Sequence, residues 1–148
     1  VLETTVLIEN ALLFVVLGYS YSKSRKLPLL IYLFVVVGHM TADYALINSL
    51  GDRSLPYENM VYYWALSILF LLSFGIMMIR VTRISQIFAA CLLPQSLISF
   101  MMAINGAELN GLTLPHYDII PTIHEVFNSK IWGVECIAAY IAMKTNYK

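Results

Sequence analysis

Five ionisable residues, Glu9, His39, Asp43, Lys130 and Glu135, fall inside long apolar stretches of this 148-residue chain. A charge near the centre of a bilayer costs about 2.5–3.5 kcal/mol on insertion scales, so such residues are by default paired with one another or used for transport. His39 and Asp43 stand one helical turn apart and share a helix face with Tyr32, seven residues before His39. Towards the C-terminus, His124, Asn128 and Glu135 share a face with Ala138 and Ala142, whose small side chains let another helix approach closely. Both faces read as interior faces.

Two chemistries fit this set. In the first, Lys130 pairs with Glu9 or Asp43 while His39 donates to Asp43 or to a backbone carbonyl, and the cluster acts as polar glue between helices. In the second, the acids and His39 form a path for protons or monovalent cations, since Asp, Glu and His are the usual relay groups inside membranes. Three acids face one certain base. A shared dry site therefore requires a protonated acid, a charged His39 or a bound cation. His39 and Asp43, with Glu135 or Glu9 as a third ligand, are only weak candidates for a metal, because two ligands at helical spacing arise by chance in many helices. No cofactor is expected.

Other chemistry is poorly represented, and the reading leans away from an enzyme. The chain has no Gly-rich phosphate loop, no GxSxG, HExxH or CxxC, and no lipidation signal. Ser67, Ser73, Ser96 and Ser99 are expected to bond to their own helix or to a neighbour. Cys91 and Cys136 both lie in apolar runs, where free cysteine behaves as a small hydrophobe.

The elements that must position these residues follow from composition. Apolar residues make up 59% of the chain and charged residues 12%, and the mean hydropathy is +0.74, far from the soluble average. Nine Lys plus Arg balance nine Asp plus Glu, so no basic surface suggests nucleic acid. A spanning helix needs about 20 mostly apolar residues. Five stretches qualify, at 4–21, 27–50, 58–79, 84–104 and 122–143, within a single transmembrane domain covering 1–148. Breakers separate them: Lys23-Ser24-Arg25-Lys26 with Pro28, Gly51-Asp52-Arg53 with Pro56, Arg80 with Arg83, and a longer loop holding Asn105-Gly106, Asn110-Gly111, Pro115 and Pro121.

Basic residues orient the spans independently of hydropathy, because cytoplasmic loops carry the excess of Lys and Arg. Lys23, Arg25, Lys26, Arg80, Arg83, Lys144 and Lys148, seven of the nine, fall on one side of a five-span topology, with Arg53 opposite and Lys130 within a span. The expected fold is an all-α five-span bundle, N-terminus outside and C-terminus cytoplasmic. Tyr57, Tyr62, Tyr63, Trp64 and Tyr117 would form an outer aromatic belt, and Tyr19, Tyr21, Tyr140 and Tyr147 an inner one. Pro94 is expected to kink the fourth span. Counting about 1.5 Å per residue from each span's centre puts His39 near the midplane and the other four ionisable residues within about 6 Å of it.

The start of the chain does not read as a secretory signal, since Glu3 and Glu9 precede or enter its first apolar run and the basic cluster follows it. Val1 in place of Met fits a processed start or a GTG codon and leans towards a bacterial or phage gene. The expected function is a non-enzymatic structural or assembly subunit of a bacterial inner membrane, or of a viral membrane derived from it. Its partners would be the lipid bilayer and either further copies of the chain or other membrane subunits. A small proton or cation channel or transporter is the alternative, followed by a holin-like pore and a metal-dependent membrane enzyme.

Overall fold

The computed structural model describes residues 2–49, 56–79 and 82–145, without the side chains of 2–4, 47–49, 56–59 and 109. Leu50, Gly51, Asp52, Arg53, Arg80, Tyr147 and Lys148, on which parts of the topology reading rest, lie outside the described residues, as does the side chain of Tyr57.

Five helices account for most of the described chain: α1 (Leu2–Ser24), α2 (Leu27–Ser49), α3 (Pro56–Ile79), α4 (Arg83–Ile104) and α5 (Ile119–Lys144). Their ends follow local chemistry. Proline opens α3 and occupies the first turn of α2, where its missing N–H removes no helical bond. Thr82 caps α4, its hydroxyl accepting from the Ser85 N–H at 3.1 Å. Arg25 ends α1 by turning left-handed at φ 55°, its N–H donating to the Tyr21 carbonyl at 2.7 Å. Pro94 does not interrupt α4. One residue on, the Gln95 side chain donates to the Cys91 carbonyl at 3.0 Å, adding a bond where proline thins the ladder.

Four of these helices are long and apolar enough to cross a membrane, over Thr5–Ser24, Leu27–Leu46, Met60–Ile79 and Arg83–Ile104. The fifth, α5, is not among them, so length and composition support four spans where five were expected. The reason lies in its polar residues: Glu125, Asn128, Lys130 and Glu135 all fall in one 26-residue helix.

The helices close a ring. Each packs on its neighbour in sequence, and α5 returns to lie against α1 as well as α4. The α3–α4 pairing is the most extensive. At its centre Ser67 and Ser96 exchange bonds, each hydroxyl donating to the other's carbonyl at 3.1 and 2.9 Å, as expected for small polar residues at a close helix contact. Ser73 bonds back to Leu69 in its own helix. Two contacts fix the parallel α1–α5 pair: the Trp132 indole donates to the Glu9 carbonyl at 2.7 Å, and the Lys26 ammonium donates to the carbonyls of Ala142 and Thr145.

The two ends of the ring differ. Of the six described Lys and Arg residues, Lys23, Arg25, Lys26, Arg83 and Lys144 gather at the end holding the α1–α2 turn, and Lys130 is the exception. Three of them lie over tyrosine rings, Lys23 on Tyr19, Arg25 on Tyr21 and Lys144 on Tyr140. At the opposite end the segment between α4 and α5 holds a β-hairpin, β1 (Glu108–Leu109) with β2 (Leu112–Thr113), rather than only a loop. Asn110 and Gly111 form its turn at φ 50° and 83°, the pair of positive angles that a two-residue type I′ turn requires. The pairing extends through Leu114 N–H to Ala107 and Gly106 N–H to Pro115. Gly106 is itself at φ +71°, where a Cβ would come within 3.0 Å of His116.

Candidate functional site

The inward faces of α2 and α5 carry the residues whose spacing drew attention. Tyr32 and Asp43 are buried on α2, and His124, Glu135, Ala138 and Ala142 on α5. Burying them brings in partners from the other helices, and two polar networks result.

The first lies in the hairpin-side half. His39 Nδ1 is 3.2 Å from Asn10 Nδ2 of α1, and its Nε2 is 3.6 Å from an Asp43 carboxylate oxygen. Tyr62 of α3 donates its hydroxyl to the other Asp43 oxygen. Phe70 meets the His39 ring edge to face at 5.3 Å, and Tyr63 does the same for His124 at 5.4 Å. Asn128 sits 3.3 Å from His124 Nε2.

The second network lies deeper. Tyr32 of α2 donates to Glu135 of α5, while Gln95 of α4 reaches both, at 3.2 Å from the tyrosine hydroxyl and 3.5 Å from the same carboxylate oxygen. Each buried acid thus takes a tyrosine hydroxyl as donor, the arrangement that makes an otherwise costly buried carboxylate tolerable.

A cavity of about 20 Å³ joins the two networks. Its wall takes a side chain from every helix: Val6 from α1, His39 from α2, Tyr62 from α3, Gln95 and Ser99 from α4, and His124 from α5. That volume exceeds the roughly 10–15 Å³ needed to hold one water, and the wall offers the polar partners that a buried water requires.

Not all five ionisable residues meet. His39 and Asp43 form one group and Glu135 another. Glu9 is half-buried between α1 and α5, engaged through its backbone carbonyl. Lys130 faces outward and, among the described residues, forms no ion pair or hydrogen bond with Glu9, Asp43 or any other group. Among the described residues the expected Lys130 pairing therefore does not form, because Lys130 lies about 140° around α5 from the buried Glu135. Among the described residues no three His, Cys, Asp or Glu side chains gather as a metal would require. Neither Glu9 nor Glu135 is brought to His39 and Asp43 as a third ligand.

Asn10, Tyr62, Tyr63 and Gln95 enter the site without having been singled out for it. Tyr62 and Tyr63 were expected at the outer belt, yet both are buried. The signal for Asn10 and Gln95 was present, as neutral polar side chains inside apolar runs. No known protein family, curated protein or solved structure matches the chain.

Proposed function

We propose that this chain is a non-enzymatic subunit of a membrane assembly, crossing the bilayer five times with its N-terminus outside and its C-terminus in the cytoplasm. The depth of α5 supports the fifth crossing. Its 26 residues extend about 39 Å at 1.5 Å per residue, more than the hydrocarbon thickness of about 30 Å. It is held along that length, at His124 beside Tyr63, at Trp132 beside Glu9 and at Ala142 and Thr145 beside Lys26. The cluster of five basic residues at one end supports a cytoplasmic assignment for that end.

Lys130 carries the assembly reading. It stands near the middle of α5, in the outward face with Val126, Val134 and Ile137, all exposed apolar residues. An ammonium facing hydrocarbon there is about 16 Å from one helix end and about 21 Å from the other, beyond the reach of its own stem. The partner that relieves it is a transmembrane helix bearing a carboxylate at the same depth, since a buried ammonium is stabilised by an opposite charge and hydrogen bonding.

The test is the size and composition of the particle released from membranes in mild detergent. Wild-type protein should run as an oligomer or with a stoichiometric membrane partner, and Lys130→Leu should release a folded monomer. Homo-oligomers would identify the partner as a second copy, with half-buried Glu9 supplying the carboxylate. A wild-type protein that is monomeric in native membranes by crosslinking would overturn the proposal.

A further inference from the structure

The outward face of α5 carries charge of both signs. Glu125 and Lys130 are exposed and five residues apart. At about 100° per residue they stand about 140° apart around the helix, on opposite flanks of a line through Gly133. They cannot meet within their own helix, where partners are three or four residues apart. Glu125 shares its flank with Trp132 and Cys136, seven and eleven residues on. That flank adjoins α1, since the Trp132 indole reaches the Glu9 carbonyl and Glu9 lies near Cys136. Glu9 and Glu125 therefore make an acidic edge on the α1 side of α5, and Lys130 occupies the opposite edge. The acids bracket the lysine in depth. Glu125 is about 7.5 Å nearer the hairpin along the axis, and Glu9, joined to Trp132, lies towards the basic end.

We propose that α5 is the contact of a two-fold dimer of this chain, a pair of parallel α5 helices in which Lys130 of each copy docks on the acidic edge of the other. The inference rests on the assembly reading of Lys130 and names its partner as a second copy. Two-fold symmetry sets the basic edge of one copy against the acidic edge of the other, twice over. In parallel helix pairs the residues at e and g, five apart, form the salt bridges across the contact. With Glu125 at g and Lys130 at e, the seam is made of Val126, Gly133 and Tyr140 at a, and of Ser129 and Cys136 at d. His124, Ile131 and Ala138 then fall at f, furthest from the partner, and all three are buried within the chain's own ring.

The seam is also shaped for a close neighbour. A Cβ on Gly133 would meet nothing within 4 Å, so no described neighbour within the chain requires a glycine there. Ser129, one turn earlier, is small and exposed, and small residues are what let two membrane helices approach closely. Close approach withdraws the three charges from lipid into mutual contact, the condition under which charges persist inside a membrane. A different protein would have to bring both a cation for the acidic edge and a carboxylate for Lys130, in the spacing this face already has. A second copy supplies both by symmetry.

Disulfide trapping in native membranes tests the geometry, in a background carrying Cys91→Ser and Cys136→Ser. Gly133→Cys should give a covalent dimer on oxidation, and Leu72→Cys, on the exposed face of α3, should not. Lys130→Glu sets like charges against each other and should weaken self-association by at least about tenfold, measured by dilution in mild detergent. Adding Glu125→Lys should strengthen it again, which a merely loosened fold would not do. Gly133→Leu should separate the copies while each keeps its helix content by circular dichroism. A Gly133→Leu variant that still dimerises, or trapping through Leu72→Cys in place of Gly133→Cys, would refute the α5 contact. Wild-type protein that binds a different membrane protein and never itself would refute the inference and leave the assembly reading standing, whereas a wild-type monomer in membranes would overturn both.

Discussion

The two halves of the ring are built from the same helices but packed to different standards. In the half nearer the basic end, Leu13, Leu17, Leu29, Ile84, Phe88 and Leu92 are at 0% exposure; in the half nearer the hairpin, Val6, Tyr62, Tyr63 and His124 retain 8–9% and enclose a cavity. The difference tracks side-chain chemistry. Aliphatic residues and alanine interdigitate without directional constraints, whereas histidine, tyrosine, asparagine and glutamine must be held at hydrogen-bonding distances, which leaves gaps between them. One half is close-packed and the other encloses a small chamber.

Two phenylalanines break the comparison most directly, because they remove the same chemistry from each half. Phe→Ala in a packed core costs about 3–5 kcal/mol, the loss growing with the void left behind. Phe88→Ala should lie at the top of that range. Phe70→Ala should lie at the bottom, since Phe70 already borders the chamber and its neighbours can relax into it. Reversible unfolding in mixed micelles measures both. Equal losses would mean that the halves do not differ in packing.

What the residue pattern revealed, and what it left hidden, has a physical explanation. The helical spacing of Tyr32, His39 and Asp43, and of His124 and Glu135, identified inward faces, because a face is a property of one helix. Which helix would answer each face is a property of the ring, and the five ionisable residues divide into the His39–Asp43 pair, Glu135 with Glu9 near it, and Lys130 on the outward face. Lys130 shows the limit most clearly. Its depth is legible from its position in the segment, whereas its direction follows from its angle of about 140° to Glu135. The tyrosines were ambiguous for a different reason, since the ring and hydroxyl that suit a water interface suit a buried carboxylate equally well. The Asn110-Gly111 hairpin was legible in principle, since that dipeptide favours the turn the structure adopts. Its strands are two residues long, too short to show alternation.

The tyrosines provide the intermediate test. Tyr32→Phe and Tyr62→Phe each delete one hydroxyl donor to a buried acid, a loss of about 1–3 kcal/mol by the cost of disturbing a buried polar group. Tyr32→Phe should be the more damaging. Among the described residues Glu135 then keeps only Gln95, at 3.5 Å, whereas Asp43 keeps His39, at 3.6 Å, and a further interaction. The same unfolding measurement ranks them, and the reverse order would mean that Asp43 depends on its tyrosine more than Glu135 does.

Lys26→Met should have the smallest effect, because two terms oppose each other at that site. Donation to the carbonyls of Ala142 and Thr145 ties the α1–α2 turn to the end of α5, and a cation at a helix C-terminus is favoured by about 0.3–1 kcal/mol. Against this, burial pulls the Lys26 ammonium below the usual lysine pKa of 10.5, so the folded state holds this proton less tightly than the unfolded chain does. The unfolded state then binds more protons in the window just below 10.5, and stability should rise with pH there as the cost of burying the charge is relieved. Lys26→Met removes both terms. Its net loss at neutral pH should be under about 1 kcal/mol, and its stability should lack the alkaline rise seen in the wild type when the two are compared by thermal unfolding in detergent. A wild-type profile that instead falls through that window would show that the carbonyls outweigh desolvation, making Lys26 a stronger tie between α5 and the α1–α2 turn than its burial allows.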